Sequence, residues 1–426
     1  MIYSFEKINY VKGELELPGD KSLSHRSVMF AAMAKGESII RNCSNSEDVH
    51  STMECFSKLG VEFEKTEKYI KVKGKGYKNF NAPMIELYAG NSGTTTRLIS
   101  GILCAQNFSS IITGDESLSK RPMMRVVEPL RLMGANIETT AGGTLPMKIK
   151  VAGKLVPVNY KLQVASAQVK SALLLAALHL EEESVIIETV PTRNHTEKLL
   201  GLRTEETTEG TKIYSSKKNY PEPFEITVPS DISTAAFFIV LALLAKNSEL
   251  IIKNVSLNET RTGIIEVLKK MGAEISIEKE FLEKGEKVGD LLIRSSAIRN
   301  VEIPESVIPN IIDEIPILAV AGIFAEGNFR INNAKELRVK ESDRIKSLCH
   351  NFKLAGLNVD EFEDGFEISG SLTEKQVTFE SFGDHRIAMA FSVLSMLMKN
   401  GGTVNQFESV GVSNPSLVEQ LKKICK

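Results

Sequence analysis

Cationic and hydroxyl-bearing side chains gather beside glycines at several points along the chain, a pattern suited to holding anions. Leu17-Pro18-Gly19-Asp20-Lys21-Ser22-Leu23-Ser24-His25-Arg26 places a glycine turn, a lysine, hydroxyls and an arginine at an expected helix start. Free backbone N–H groups and the helix dipole add to side-chain charge there; a Ser-capped helix with solvated charges is the alternative for the same residues. In Gly90-Asn91-Ser92-Gly93-Thr94-Thr95-Thr96-Arg97, Gly93 would let backbone approach a ligand closely, as phosphate loops do. No Gly-Lys-Ser/Thr follows, so this is not a Walker A loop, and an ordinary capped glycine turn stays open. Lys120-Arg121-Pro122-Met123 adds cations near another helix start. Ala165-Ser166-Ala167-Gln168-Val169-Lys170 and Thr192-Arg193-Asn194-His195-Thr196-Glu197 each read as a capped helix entry or as part of a site.

Carboxylates join the cations further on. Asn310-Ile311-Ile312-Asp313-Glu314-Ile315-Pro316 is either a cap with a dipole partner or a pair of working acids. In Glu336-Leu337-Arg338-Val339-Lys340-Glu341-Ser342-Asp343-Arg344, a helix would put Lys340 and Arg344 on one face, where like charges repel by a few tenths of a kcal/mol. A bound anion, or Glu341 and Asp343, would relieve that repulsion. Gly383-Asp384-His385-Arg386 opens a strongly apolar stretch.

For such groups to act together, equivalent elements must carry them, and the chain does repeat. A hydrophobic-x-x-small-Gly phrase occurs at 56–61, 130–135, 268–273 and 352–357, with a degenerate copy at 198–201. Each predicts a helix closed by a left-handed glycine and followed by a strand: 61–64, 136–139, 274–278 and 358–361. Upstream of each lies a more apolar helix, opening near Ser24, Thr95, Gln168, Ser233, Glu314 and His385, at a spacing of roughly 70 residues. Short β-rich segments such as 38–40 and 184–187 come between. The expectation is an α/β protein of six helix–strand–loop–helix–strand repeats.

The sixth repeat ends after 416–424 without a strand, while 5–17 alternates like a strand pair outside any complete repeat. The N-terminal strands are therefore expected to finish the sixth repeat. That closure gives a continuous three-repeat lobe, 19–226, and a discontinuous one, 1–18 plus 227–426, with hinges near Pro18-Gly19 and Val228-Pro229. With helix starts converging at one end of each lobe, the expected active-site cleft between them is lined by Lys21, Arg26, Arg97, Arg121, Arg193, Lys340, Arg344 and Arg386. Only Asp313, Glu341 and Asp384 oppose them. So much positive charge points to a polyanionic small substrate or substrate pair, with the carboxylates moving protons.

Composition narrows the class. The 426 residues correspond to about three domains of roughly 150 residues each. Lys and Arg total 52 against 54 Asp and Glu, a net charge of −2, which argues against a dedicated nucleic-acid binder. The hydrophobic share of 42% and charged share of 25% describe a globular chain. Its longest apolar runs, 234–245 and 387–398, fall short of the ~18 residues of a membrane span and read as buried helices. The N-terminus shows no basic region followed by an apolar stretch, so no leader is expected and the cytoplasm is the default. Five scattered cysteines without a CxxC predict neither a disulfide framework nor a zinc site.

Six strings occur in order: Leu-Pro-Gly-Asp-Lys-Ser-Leu-Ser-His-Arg, Gly-Asn-Ser-Gly-Thr-Thr-Thr-Arg, Lys-Arg-Pro-Met, Ala-Ser-Ala-Gln-Val-Lys-Ser-Ala, Arg-Val-Lys-Glu-Ser-Asp-Arg and Asp-His-Arg-Ile-Ala-Met-Ala. Together, across essentially the whole chain, they resemble the EPSP synthase (3-phosphoshikimate 1-carboxyvinyltransferase) family. The resemblance implies a two-lobed inverse α/β barrel of six repeats. It also implies transfer of the enolpyruvyl group of phosphoenolpyruvate to shikimate 3-phosphate, with no metal and no cofactor. It assigns Lys21, Ser22, Arg26, Ser166, Ala167, Gln168, Arg193, Asp313 and Lys340 to shikimate 3-phosphate. Lys21, Gly93, Arg121, Gln168, Arg344 and Arg386 go to phosphoenolpyruvate. Asp313 is similar to the family's proton acceptor for the attacking hydroxyl and Glu341 to the group that protonates the methylene; Lys21 and His385 complete the catalytic set, with Asp384 beside them.

The implied partners are these two substrates, with no nucleic acid, no membrane and a monomeric enzyme. Three departures stand out: Val412-Ser413-Asn414-Pro415 lacks the lysine of some members, Glu336 stands where others have Asn, and 201–218 is polar and irregular. Two alternatives remain at this level. One is the UDP-N-acetylglucosamine 1-carboxyvinyltransferase, against which the cysteine-free Gly114-Asp115-Glu116-Ser117-Leu118-Ser119-Lys120 loop argues. The other is a non-catalytic phosphosugar-binding relative, against which Asp313, Glu341 and the arginine set argue.

Overall fold

In the computed structural model, which describes residues Met1–Lys426, six helices lie buried on all sides: Lys21–Met33, Gly93–Leu103, Ala167–Ala177, Ile232–Leu244, Ile315–Phe324 and His385–Leu397. Beyond their polar starts these helices are apolar all round and cannot face water, so they form the interior. The first three pack on one another at close range. Gly101 has no room for a Cβ, which would stand 2.0 Å from the carbonyl oxygen of Ala172. The last three form a second core. The second helix of each repeat, such as Glu47–Lys58 or Gly263–Met271, buries one face only. No single helix is long and apolar enough to cross a membrane.

The expected glycine closures are present: Gly60, Gly134, Gly201, Gly272 and Gly356 all have positive φ, a region that a β-carbon disfavours. Each is followed by sheet, and there are six sheets in all. Four share one order: a strand parallel to a central strand, then two antiparallel strands. The sheet of repeat two, for example, runs Leu87–Tyr88, Ser110–Thr113, Met147–Lys150, Asn136–Glu138. In repeat five the parallel strand shrinks to the bridge Arg299–Glu326.

The chain divides into two compact bodies. One is Gly19–Val228 with Leu282–Glu286; the other is Met1–Pro18, Pro229–Phe281 and Lys287–Lys426. Thr227, Val228 and the hairpin tip 282–286 thus go with the continuous body, where the sequence reading put them in the other. The tip is drawn there by hydrogen bonds, including Glu283 Oε1 accepting from the Thr227 amide at 3.0 Å.

Two sequence expectations need correction. Only the first N-terminal strand, Tyr3–Phe5, finishes the sixth repeat, pairing antiparallel with Gly402–Asn405. The second, Lys12–Glu16, pairs in parallel with Glu249–Ser256 of repeat four, because that central strand would otherwise expose an open edge. Its counterpart is Glu225–Thr227, which lies parallel to Lys35–Arg41 of repeat one. At each crossing, then, the strand stays in one body and the following helix opens in the other. The stretch 201–218 is not irregular either: Thr204–Thr207 and Gly210–Ser215 form a hairpin whose outer strand is exposed and therefore polar.

Candidate active site

In the continuous body the helix starts carry the expected residues. Asp20 caps Lys21–Met33 by accepting from the Leu23 amide at 2.8 Å, and Lys21 Nζ lies 2.9 Å from Asp48 Oδ2 at the start of the neighbouring helix. Arg26 is 2% exposed and uses three nitrogens inside the protein. Nε donates to Thr196 Oγ1 (2.7 Å), Nη1 to the Ser22 carbonyl (3.0 Å) and Nη2 to Ser171 Oγ (2.8 Å). Burial lowers its pKa to about 10, with Glu197 opposing the shift and nearby Arg193 adding to it. Ser22 is thereby fixed by the arginine one turn on.

Gly93 heads the next helix, capped by Ser92. A Cβ at Gly93 would stand 2.9 Å from Arg97 Nη1 and 3.6 Å from Arg121 Nη1, so this glycine leaves space beside two guanidiniums. Arg97 Nη1 donates to Gln168 Oε1 (2.6 Å), whose amide in turn donates to Thr94 Oγ1 (3.0 Å). Arg121 Nη2 donates to Asn91 Oδ1 at 2.6 Å. Ser166 caps the third helix, and Ala167 and Gln168 form its first turn. A chain of contacts from His25 Nδ1 to Thr52 Oγ1 (2.7 Å), Thr95 Oγ1 (2.7 Å) and Ser92 Oγ (2.8 Å) ties the first two repeats together beneath them. Burial and the charges of Lys21 and Arg26 hold His25 well below the usual histidine pKa, so it is neutral.

In the other body one guanidinium gathers the acids. Arg344, 1% exposed, donates from Nε to Asp384 Oδ2 (2.8 Å), from Nη1 to Asp313 Oδ1 (3.1 Å) and from Nη2 to Glu341 Oε2 (2.6 Å). Burial opposes its charge, but the three carboxylates outweigh burial and raise its pKa. Asp384 also caps the helix begun by His385, accepting from the Arg386 amide at 2.8 Å. Arg386 Nη1 lies 4.0 Å from Glu314 Oε1; Glu314 is buried, accepts from Ser233, and has a pKa raised first by burial. Lys340 is half-buried, its pKa lowered by desolvation against the pull of Asp313 and Glu336.

The structure thus brings Asp313, Glu341, Arg344 and Asp384 into one cluster. It groups Gly93 with Arg97, Arg121 and Gln168, and it sets Arg26 against Ser22 near Arg193. One expectation fails. Residues 336–344 are not one helix: a short turn, Lys335–Val339, leads to an extended Lys340, and a new helix starts at Arg344. Asp343 forces the break by capping that helix while accepting two bonds from Arg338 (3.1 and 2.8 Å). Lys340 and Arg344 therefore share no helical face, and their repulsion is not an i,i+4 matter.

Sequence reasoning missed Asp48, Arg261 and Lys170. Arg261 donates to Ser233 and lies 3.5 Å from Asp231 and 3.9 Å from Glu314, knitting the starts of two helices. A charged residue leading straight into an apolar helical run is the one available signal, and only Lys170, ahead of Ala172–Ala177, gives it. No group of three His, Cys, Asp or Glu side chains is arranged to hold a metal ion, and all five cysteines are free.

Comparison with known proteins shows the family. The family model described as EPSP synthase (3-phosphoshikimate 1-carboxyvinyltransferase) matches residues 5–421. A protein of Petrotoga mobilis named 3-phosphoshikimate 1-carboxyvinyltransferase is 46% identical over 97% of both chains, and one of Caldicellulosiruptor saccharolyticus with the same name is 47% identical over 96% of both. Among solved structures, EPSP synthase from Acinetobacter baumannii superposes with a TM-score of 0.87 at 40% identity, covering 100% of this chain and 98% of that one. The enolpyruvyl transferase NikO from Streptomyces tendae, at 16% identity and a TM-score of 0.79, shares the fold over 100% of this chain and 97% of its own. On full-length sequence identity and full-length superposition alike, the chain belongs to the EPSP synthase (3-phosphoshikimate 1-carboxyvinyltransferase) family.

Proposed function

We propose that this protein transfers the enolpyruvyl group of phosphoenolpyruvate to the 5-hydroxyl of shikimate 3-phosphate, releasing phosphate and forming 5-enolpyruvylshikimate 3-phosphate. The observation that carries the proposal is the placement of Asp313 and Glu341 on two nitrogens of one buried arginine. The reaction needs a base for the acceptor hydroxyl and an acid for the methylene carbon of the donor, held in fixed relation; a shared guanidinium supplies that relation.

In the first step Asp313 accepts the hydroxyl proton as the oxygen bonds to the central carbon of the donor, and Glu341 delivers a proton to the methylene carbon. In the second, that carbon loses the proton again as the bond to the phosphate oxygen breaks, restoring the double bond. The two negative groups of the donor fall to Lys21, Arg121, Arg344 and Arg386, with Gly93, whose lack of a side chain lets Arg97 and Arg121 lie close to its backbone, and with Gln168, which holds Arg97 there. The acceptor falls to Lys21, Ser22, Arg26, Ser166, Ala167, Gln168, Arg193, Asp313 and Lys340. His385, beside Asp384 at a helix start, supports the acid cluster. The reading has the enzyme working as a cytoplasmic monomer.

Phosphate release with shikimate 3-phosphate and phosphoenolpyruvate as the pair tests the reaction, and calorimetric titration of each substrate, alone and with the other present, tests the assignments. Release only with UDP-N-acetylglucosamine as acceptor, or none at all, would overturn the proposal.

A further inference from the structure

Behind Arg193 lies a buried ion cluster for which the reaction has no direct use. Lys170 is fully buried in the helix Ala167–Ala177. Its Nζ lies 2.8 Å from Glu188 Oε2, 2.7 Å from Glu197 Oε1 and 3.4 Å from the Thr192 carbonyl oxygen. Glu188 Oε1 accepts from the Thr192 amide at 3.0 Å and from its hydroxyl. Both ends of Thr192-Arg193-Asn194-His195-Thr196-Glu197 are therefore tied to one ammonium, with Arg193 one residue inside the first tie.

A neighbouring residue on each helix, Ser171 after Lys170 and Thr196 before Glu197, repeats the link in neutral form. Ser171 Oγ and Thr196 Oγ1 are 2.8 Å apart, and Arg26 closes on both. The helices that carry Arg26, Lys170 and Glu197 thus meet at two adjacent bridges, one ionic and one of hydroxyls.

Stability alone is a poor reason for such a cluster, since well-packed apolar side chains of the same volume commonly serve as well as or better than a buried ion triad. What the ammonium adds is direction, because its three N–H groups point to three oxygens on two separate segments. It also holds Glu197 in place. Glu197 interacts favourably with Arg26, and its second oxygen, Oε2, has no hydrogen-bonding partner. With Lys170 neutralised, that carboxylate is free to turn onto the Arg26 guanidinium and carry the 192–197 segment with it.

We propose that Lys170 is a positioning residue for acceptor binding: without touching substrate, it sets the placement of Arg193 and Arg26 by clamping 192–197. The inference rests on the reading above that these two arginines serve shikimate 3-phosphate.

The test compares Lys170→Met, Lys170→Arg and the charge-balanced double variant Lys170→Met/Glu188→Gln, by calorimetric titration of shikimate 3-phosphate and by KM and kcat for both substrates. The double variant serves if Lys170→Met does not fold. We expect acceptor Kd and KM to rise about tenfold or more, as small misplacements of binding groups do. Donor KM should change by less than about twofold, kcat should be largely kept, and arginine should restore part of the acceptor affinity because it preserves the charge. Leu250→Ala, a core variant in the other body, should lower Tm without that selectivity. Equal losses for both substrates, or an unchanged acceptor affinity, would overturn the proposal. Arg193→Ala separates the two ideas. If it leaves acceptor affinity intact, the acceptor assignment itself falls and takes this inference with it; if it is selective while the Lys170 variants are not, only the inference falls.

Discussion

Arg344 and Arg386 stand on either side of the Asp313-Glu314 pair, yet their surroundings predict different losses. Arg344 compensates three carboxylates, one of them fully buried, so Arg344→Ala should cost about 3–5 kcal/mol of stability in addition to donor affinity. Arg386 is 4.0 Å from a carboxylate already served by Ser233 and Arg261, so Arg386→Ala should spare stability and raise the donor Kd, by about 2–5 kcal/mol if the contact is desolvated. Urea unfolding read beside donor titration checks the contrast; equal stability losses would mean Glu314 depends on Arg386 more than its contacts suggest. Asp313→Asn and Glu341→Gln keep size and hydrogen-bonding reach while removing an ionisable group. Each should retain most substrate binding and lose roughly 10²–10⁴ in turnover. Single-turnover kinetics decide it, and near-normal rates would make the residue a partner of Arg344 and nothing more.

At the scale of elements, most helix starts were legible because capping is local chemistry. Asp20, Ser92, Ser166 and Asp384 all cap the helices expected from the strings around them. The glycine closures were legible for the same reason. What escaped was long-range or two-faced. Asp48 meets Lys21 from 27 positions away and Lys170 meets Glu197 across 27, separations with no sequence period. The strand Thr204–Thr207 is exposed along most of its length, so its polar run has no alternation to betray it. Glu286 reaches His195 Nδ1 at 2.8 Å from a hairpin whose destination only folding reveals.

The end of the third buried helix carries a pH dependence. His179 sits with its ring 5.6 Å from both Tyr77 and Tyr220, and burial lowers its pKa to about 4 despite a favourable contact with the Leu175 carbonyl. An unfolded histidine titrates near 6.5, so the unfolded chain binds the extra proton first as pH falls. Stability is whole above about pH 6.5 and declines toward pH 4 by about 1.4 kcal/mol per unit for this group. His179→Phe should reduce the stability difference between pH 7.5 and pH 5 by about 2 kcal/mol, measured by urea unfolding at each pH. An unchanged difference would mean that His179 takes up its proton as readily in the native state as in the unfolded chain.

At the scale of the molecule, both bodies use one device: a buried arginine that ties helices together. Arg26 links Ser171 and Thr196 in one, and Arg261 links Ser233 with Asp231 and Glu314 in the other. The repeated fold was readable from the glycine phrase, but the exchange of strands at the crossings was not, since Lys12–Glu16 and Glu225–Thr227 carry no mark of which sheet will take them.

That exchange has a consequence for birth on the ribosome. Tyr3–Phe5 and Lys12–Glu16 emerge long before their partners, Gly402–Val404 and Glu249–Lys253, so these strands must wait unpaired through much of synthesis. Gly19–Val228, by contrast, holds three complete repeats and its own closing strand, and can organise while the remainder is still being made. Non-local pairing is slow to form and exposes strand edges meanwhile. Pulse-labelled hydrogen exchange during refolding should find Ile40, Ile112 and Ile186 protected ahead of Leu15 and Val404; simultaneous protection would mean that the two bodies fold as one unit. The nascent chain is therefore at greatest risk through residues 3–16, whose strands are made long before anything that can cover them.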